Sequence, residues 1–358
     1  MEAIQDYNFQ VKSKINDSYN VFFINNIKHD FFDDNSIFII DRKVFNLYKD
    51  EFSSIILNFR YLLIDCNEEN KTIDYSQNVI NSLLSIKIRR NDRLITFGGG
   101  IAQDIVAFIA SIIFRGIAWV FFPTTLLAQC DSCIGSKSSI NFESYKNLIG
   151  TFKPPSDVFI YNKFLNSLTD SEIKSGIGEM FHYFLTDGTK LANELSLNYQ
   201  KLFTNRDKLF YFIHNSLNVK KKIIEIDEFD DSIRHIFNYG HTFGHALEAI
   251  TNYSIPHGQA ITLGIDLANY ISSKMNIISK EDFEVMHTML FNNLPVYEFS
   301  HHNIDEYFLA LSKDKKNEGN KLGCILPTKP GHVKKFFVNL DESLKSIILD
   351  YSTKNKKL

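Results

Sequence analysis

The run Arg234-His-Ile-Phe-Asn-Tyr-Gly-His-Thr-Phe-Gly-His245 sets an arginine, an asparagine and two histidines at positions 234, 238, 241 and 245. Read as continuous helix at about 3.6 residues per turn, this spacing aligns all four side chains along one stripe. A core-facing stripe would carry Leu, Ile and Val, and four hydrogen-bonding or metal-ligating groups there need partners once buried. A metal ion and an anionic ligand would satisfy them. The plainer alternative is a surface helix with solvated histidines. Against it, Pro256-His257-Gly258 supplies a third imidazole and Gly178-Glu179 a carboxylate. Two histidines with one glutamate form the ligand set of an open, catalytic zinc site.

The elements that must position these groups fall into two regimes. Up to about residue 165, short β-rich runs (37–40, 61–65, 94–97, 118–122 and 158–161) alternate with helical patterns, which predicts a Rossmann-like α/β domain with a parallel sheet. From Leu168 the apolar periodicity is mostly helical, over 172–185, 208–226, 232–250 and 260–275. The expected organisation is an α/β domain at 1–167 and a helical domain at 168–358. The turn-rich Lys153-Pro-Pro-Ser-Asp157 precedes the last strand of the first half.

Composition narrows the function classes. With 358 residues, 44% of them hydrophobic, the chain can bury a large core. A formal charge of −3 without a basic stripe argues against nucleic acid or an anionic membrane as partner. The longest apolar run, 105–114, is half of the roughly 20 residues that span a bilayer. Glu2, Asp6 and Lys12 interrupt any signal-peptide core, and a cytoplasmic location is expected. Cys130-Asp-Ser-Cys133 lacks a second Cys-x-x-Cys, so two small buried residues are expected there rather than a redox pair or zinc knuckle.

Leu94-Ile-Thr-Phe-Gly-Gly-Gly100 is a strand running into three glycines, with Asp104 early in the apolar helix that follows. Glycines at such a turn let backbone approach a pyrophosphate, and a helix N-terminus favours an anion. Without a ligand, the same residues make a tight turn whose acid complements the helix dipole. Pro123-Thr124-Thr125 brings two hydroxyls to the carboxyl edge of the sheet, where an ordinary helix cap is the alternative.

Taken in order, Gly98-Gly-Gly-x-x-x-Asp104, Arg115-Gly116, Pro123-Thr-Thr-Leu-Leu-Ala-Gln-x-Asp131, Lys137, Lys146-Asn147-Leu-Ile-Gly150, Gly178-Glu179, Arg234-x-x-x-Asn238-x-Gly-His241-Thr-Phe-Gly-His245 and His257-Gly258 resemble 3-dehydroquinate synthase and its sugar-phosphate cyclase relatives. The resemblance implies an NAD-binding α/β domain followed by a helical zinc domain, a homodimer, and an active site between the domains. It implies transient oxidation of a substrate alcohol by bound NAD, elimination of phosphate, re-reduction and an intramolecular aldol closure. Zinc, with cobalt as a substitute, would be held by Glu179, His241 and His257 and would acidify substrate hydroxyls. NAD contacts would fall to Asp41, Glu68, Lys71, Gly99, Gly100, Asp104, Thr124, Thr125, Lys137, Lys146, Phe164, Leu168 and Glu172. Two of these assignments have plain alternatives: Thr169 with Glu172 spells a capping box, and Glu68 with Lys71 reads as a surface pair.

By the same resemblance, Lys137, Asn147, Asn238 and His245 would surround the phosphate, with Arg115 entering from a second subunit and one of Lys315 and Lys316 adding a contact. Asp131 would hold a substrate hydroxyl. Lys220, seven residues before Asp227, and Arg234 would bind a substrate carboxylate. The sequence also departs from the pattern. His182 stands where the family carries a lysine three residues after the zinc glutamate, sharing a helix face with Glu179 and able to touch substrate or compete for the metal. Ile134-Gly-Ser136-Lys137, Ser167 and Gln259 are further departures. Lys220 and Arg234 would be costly to desolvate against a neutral sugar head, which favours a phosphorylated seven-carbon ulosonate. A cyclase acting on sedoheptulose 7-phosphate or glucose 6-phosphate is the alternative. A zinc polyol dehydrogenase or a non-catalytic binding protein would share the plan.

Overall fold

The computed structural model describes residues 7–354 apart from 144, 315 and 316. The chain divides into two compact units, Met1–Leu168 with Lys221–Phe229, and Thr169–Lys220 with Asp230–Leu358.

The first unit is built on seven strands: β1 (Phe9–Ser13), β2 (Asp17–Ile24), β3 (Ser36–Asp41), β4 (Arg60–Ile64), β5 (Arg93–Gly98), β6 (Ala118–Pro123) and β9 (Asp157–Tyr161). They lie in the order β1-β2-β9-β6-β5-β3-β4, parallel throughout except for β1 against β2. The five strands expected from sequence are the contiguous block β9-β6-β5-β3-β4, a doubly wound order that reverses between β3 and β5. The residues Ile37 to Ile40 are fully buried, as expected of a parallel strand covered on both faces. Phenylalanines on one face pack in a row across the strands: Phe38 on Phe97, Phe97 on Phe122 with centroids 4.3 Å apart, and Phe122 on Phe159. A separate antiparallel hairpin pairs β7 (Lys137–Phe142) with β8 (Tyr145–Phe152). Residues 221–229 join this unit through the N-terminal hairpin, where Lys12 N donates to Glu225 Oε1 at 2.9 Å and Ser13 Oγ to Glu228 Oε1 at 2.8 Å.

The second unit is helical around His257–Lys274, a helix buried on all sides from Ala260 to Ser272. Its polar residues are bonded inside the core: Asn293 Nδ2 donates to Thr262 Oγ1 at 2.7 Å, and Tyr351 donates to Asp266 Oδ2 at 2.6 Å. One hairpin, β10 (Lys321–Lys329) with β11 (His332–Asn339), adds strands that the helical reading did not anticipate. Among the described residues, no helix is long and apolar enough to cross a membrane.

The helix expected over 232–250 is corrected. Residues Ile233–Asn238 form 3-10 turns, Gly240 takes φ +78°, and the α-helix begins only at His241 and ends at Ile250. Arg234 and Asn238 therefore do not share a continuous helical stripe with His241 and His245.

Candidate active site

Glu179 sits in the middle of the helix Asp170–Thr186. That helix opens with a capping box in which Glu172 Oε2 accepts from Thr169 N at 2.8 Å and from Thr169 Oγ1 at 2.9 Å. The plain reading of Glu172 is thus the one seen: its carboxylate is occupied at the helix start. Glu179 is 2% exposed, and its Oε1 lies 3.1 Å from His257 Nε2 and 3.8 Å from His241 Nε2. Four ligands about 2.1 Å from a tetrahedral zinc stand about 3.4 Å from one another, so these separations suit one shared cation. Oε1 is buried, and the imidazoles of His257 and His241 are the groups that face it at these distances. Ring nitrogens of His241, His245 and His257 also lie within 4.8 Å of one another, which brings His245 to the same cluster. The donor set of one carboxylate and imidazole nitrogens fits a divalent zinc or cobalt ion.

Electrostatics in the cluster are mutually dependent. Burial alone would raise the Glu179 carboxyl, but His182, His257 and His241 outweigh it and hold the group well below the ordinary carboxylate range. Burial pushes His241 well below the usual imidazole value, so it stays neutral and able to ligate. Burial would also lower His257, yet Glu179 and Glu248 reverse this and push it up to about 10. Glu248 Oε1 lies 3.1 Å from His257 Nδ1, so the ring is held from behind by a second carboxylate.

Asn238 Nδ2 donates to His235 O at 3.1 Å, and Asn238 and His245 line a cavity of about 690 Å³ together with Thr242, Glu306 and Lys313, a cavity whose lining does not include Glu179, His241 or His257. Lys220 is 5% exposed and Arg234 is half-buried, both in the second unit. Lys315 and Lys316 lie outside the described residues.

In the first unit, the expected cofactor residues collect at the carboxyl ends of the parallel strands. Asp41 closes β3 and Gly98 closes β5, on either side of the point where strand order reverses. Gly99 caps the helix Gly100–Ile112, and a Cβ there would meet Thr125 Cγ2 at 3.0 Å. Thr124 is buried, with its N–H on Gly98 O at 2.9 Å. Thr125 Oγ1 accepts from Ala128 N at 3.2 Å, the helix-cap reading. Asp41 likewise caps a helix, accepting from Lys43 N at 2.9 Å, and burial raises its carboxyl.

Lys71 corrects the surface-pair reading. It is 6% exposed and reaches Asp104 Oδ2 at 2.7 Å and Asn147 Oδ1 at 2.6 Å. Asp104 Oδ1 accepts from Ser139 N at 2.9 Å, so this acid serves an ion pair rather than a helix dipole. Glu68 instead faces Lys146 at 3.9 Å and accepts from Asn141 Nδ2 at 2.8 Å. Asn147, expected beside a phosphate, stands in this network with φ +53°. Lys137 begins β7 and is exposed, and Asp131 is half-buried in a short π-helical turn, Ala128–Ser132. The Phe164 side chain is fully buried in the aromatic core and its carbonyl accepts from Tyr48 at 3.1 Å, so it does not offer its ring to a cofactor. Leu168 is half-buried just before the capping threonine. Arg115 is exposed in a left-handed turn with Phe114 and Gly116. Cys130 and Cys133 are buried and form no disulfide, as expected.

Sequence comparison bears directly on this arrangement. The model of the 3-dehydroquinate synthase N-terminal region matches residues 61–175, and that of its C-terminal region matches residues 176–317. The chain belongs to the 3-dehydroquinate synthase family. It is 35% identical over 314 residues to the 3-dehydroquinate synthase of Clostridium tetani (strain Massachusetts / E88), covering 86% of this chain and 84% of that protein. It is 37% identical over 339 residues to that of Pelagibacter ubique (strain HTCC1062), covering 88% and 92%. Among solved structures, a 2-deoxy-scyllo-inosose synthase complexed with carbaglucose-6-phosphate, NAD+ and Co2+ matches with TM-score 0.83 and 25% identity over 96% of this chain and 99% of that one. For this family member, the signal for Glu248 was present in the sequence as a glutamate three residues after His245, and helical spacing alone did not connect it to His257.

Proposed function

We propose that this chain is a 3-dehydroquinate synthase, a phosphate-eliminating carbon-oxygen lyase that converts 3-deoxy-arabino-heptulosonate 7-phosphate to 3-dehydroquinate with bound NAD and a divalent metal. The observation that carries the reading is the approach of Glu179 to His241 and His257 at separations that one cation satisfies. The curated relatives that share the name support the substrate, and the NAD+ and Co2+ of the 2-deoxy-scyllo-inosose synthase support the cofactors. When bound, the metal supplies Lewis acidity at a substrate hydroxyl and NAD supplies a hydride acceptor that later returns the hydride.

The remaining work falls to the chain's own groups. Glu179, His241 and His257 hold the metal. Lys220 and Arg234 bind the carboxylate, Asn238, His245, Lys137 and Asn147 bind the phosphate, and Asp131 orients a hydroxyl. Glycines 99 and 100 and the Lys71–Asp104 pair hold the cofactor side. The active form is a homodimer in which Arg115, exposed on its tight turn, completes the partner's phosphate site.

Phosphate release tests the assignment. Purified protein with NAD and zinc is incubated separately with the heptulosonate phosphate, sedoheptulose 7-phosphate and glucose 6-phosphate. Inorganic phosphate is expected from the first alone, with no accumulation of reduced nicotinamide. Net reduction of NAD without phosphate would identify a polyol dehydrogenase, and preferential release from either neutral sugar would identify a different cyclase. Glu179→Ala and His241→Ala are expected to abolish release.

A further inference from the structure

His182 is 1% exposed, its Nε2 is buried without a hydrogen-bond partner among the described residues, and its Nδ1 faces the Glu179 carboxylate at ion-pair distance. A neutral imidazole carries one N–H and one lone pair, and a buried unsatisfied donor or acceptor costs on the order of 1–3 kcal/mol. The ring is walled by Tyr183 and Phe237, at centroid distances of 4.9 and 5.8 Å, and by His241 at 4.8 Å. Its Nδ1 lies 3.5 Å from Glu179 Oε2, whereas His257 and His241 approach the same carboxylate at Oε1.

We infer that His182 is a positioning residue: its Nδ1–H holds Glu179 Oε2, so that the carboxylate meets the metal through Oε1 alone. The inference rests on the reading of Glu179, His241 and His257 as a metal centre and adds a fourth side chain that acts through Glu179. Two considerations favour this role over direct ligation. The nitrogen approaches the far carboxylate oxygen and not the one shared with the imidazoles. A further protein ligand would also fill a position that an open catalytic site keeps for substrate. A carboxylate held by one oxygen cannot swing to chelate through both, which keeps those positions open.

The test is metal binding by the full-length chain, independent of turnover. Metal-free wild type, H182A, H182F, H182N and E179A are titrated with Co2+, reading the visible absorption band and the dissociation constant in competition with a chelator. Cobalt binding is expected to weaken 10- to 100-fold in H182A and H182F, with a changed band as the carboxylate is freed. H182N, whose amide N–H donates to the same oxygen, is expected to keep most of the affinity and the wild-type band. Unchanged affinity and band in H182A and H182F would overturn the inference, as would H182N binding no better than H182F. If H182A fails to fold, H182F preserves ring volume without nitrogen and carries the comparison. E179A separates the two layers: wild-type cobalt binding in E179A would reject the metal centre itself, whereas loss in E179A with no change in H182F rejects only the role of His182.

Discussion

Gly178 and Gly258 meet backbone to backbone: a Cβ on Gly178 would stand 1.9 Å from the Gly258 carbonyl oxygen, and one on Gly258 would stand 1.7 Å from Ser175 O. Each glycine is the chain neighbour of a proposed metal ligand, Glu179 and His257. The close crossing of the helices Asp170–Thr186 and His257–Lys274 is therefore what delivers a carboxylate and an imidazole to the same point. Because the obstacle is main chain, an added methyl forces the helices apart. Gly178→Ala is expected to destabilise the protein by about 1–3 kcal/mol and to weaken cobalt binding in parallel. Thermal unfolding and cobalt titration check this, and wild-type values in both would show that the crossing is not what sets the site.

The pair of carboxylates around His257 predicts a proton linked to metal binding. His257 is pushed up to about 10, against an unfolded histidine near 6.5. With the folded value raised, the protonated ring stabilises the metal-free protein fully below about 6.5, and that contribution is lost as pH rises through about 10. At pH 8 the metal must displace the proton, so zinc binding is expected to release about one proton from this ring. Calorimetric titration in two buffers of different ionisation enthalpy measures the release. Glu248→Gln removes one of the two anions and is expected to reduce it, and equal heats in both buffers would reject the account.

Lys71 pairs with Asp104 and donates to Asn147 in the first unit, where the cofactor is proposed to bind. Burial raises the Asp104 carboxyl while Lys71 draws it back down, the signature of a pair that needs both partners. Asp104→Ala leaves an ammonium buried without its anion and is expected to cost about 3 kcal/mol. Asp104→Asn, which keeps an oxygen for Lys71, is expected to cost less. Chemical denaturation of the two variants ranks them, and equal losses would mean that shape rather than charge holds the site.

Much of this arrangement was legible in the chain. The runs 37–40 and 94–97 are β-rich stretches that parallel burial demands, and three glycines after the second mark the crevice where strand order reverses. The helix expected across 232–250 failed at Gly240, whose φ of +78° is left-handed and whose Cβ would lie 2.5 Å from Ile265 Cγ1. A glycine inside a helical pattern is a local warning, yet packing against another helix decided the break. Lys71 looked exposed because its partner Asp104 is 33 positions away, and no short-range pattern links them. β10 and β11 were hidden because apolar residues at 322–326 fit a buried helix as well as a strand.

Substrate selection gives the sharpest remaining test of the chemistry. Lys220 is 5% exposed in the second unit, and a buried ammonium is tolerated only with anionic or polar company. Arg234, displaced from the helical stripe by the 3-10 turns, adds a planar fork suited to a carboxylate. If this pair reads the acid group of the ulosonate, Arg234→Ala loses a charge-assisted bond of about 1.5–3 kcal/mol, or roughly 10- to 150-fold in kcat/KM. The loss is expected for the heptulosonate phosphate alone, while any residual turnover of sedoheptulose 7-phosphate, which has no carboxylate, stays level or rises. Phosphate release from both compounds by wild type and variant decides it. Equal losses on the two would place Arg234 at the phosphate or in the scaffold and would remove the charge argument for the ulosonate.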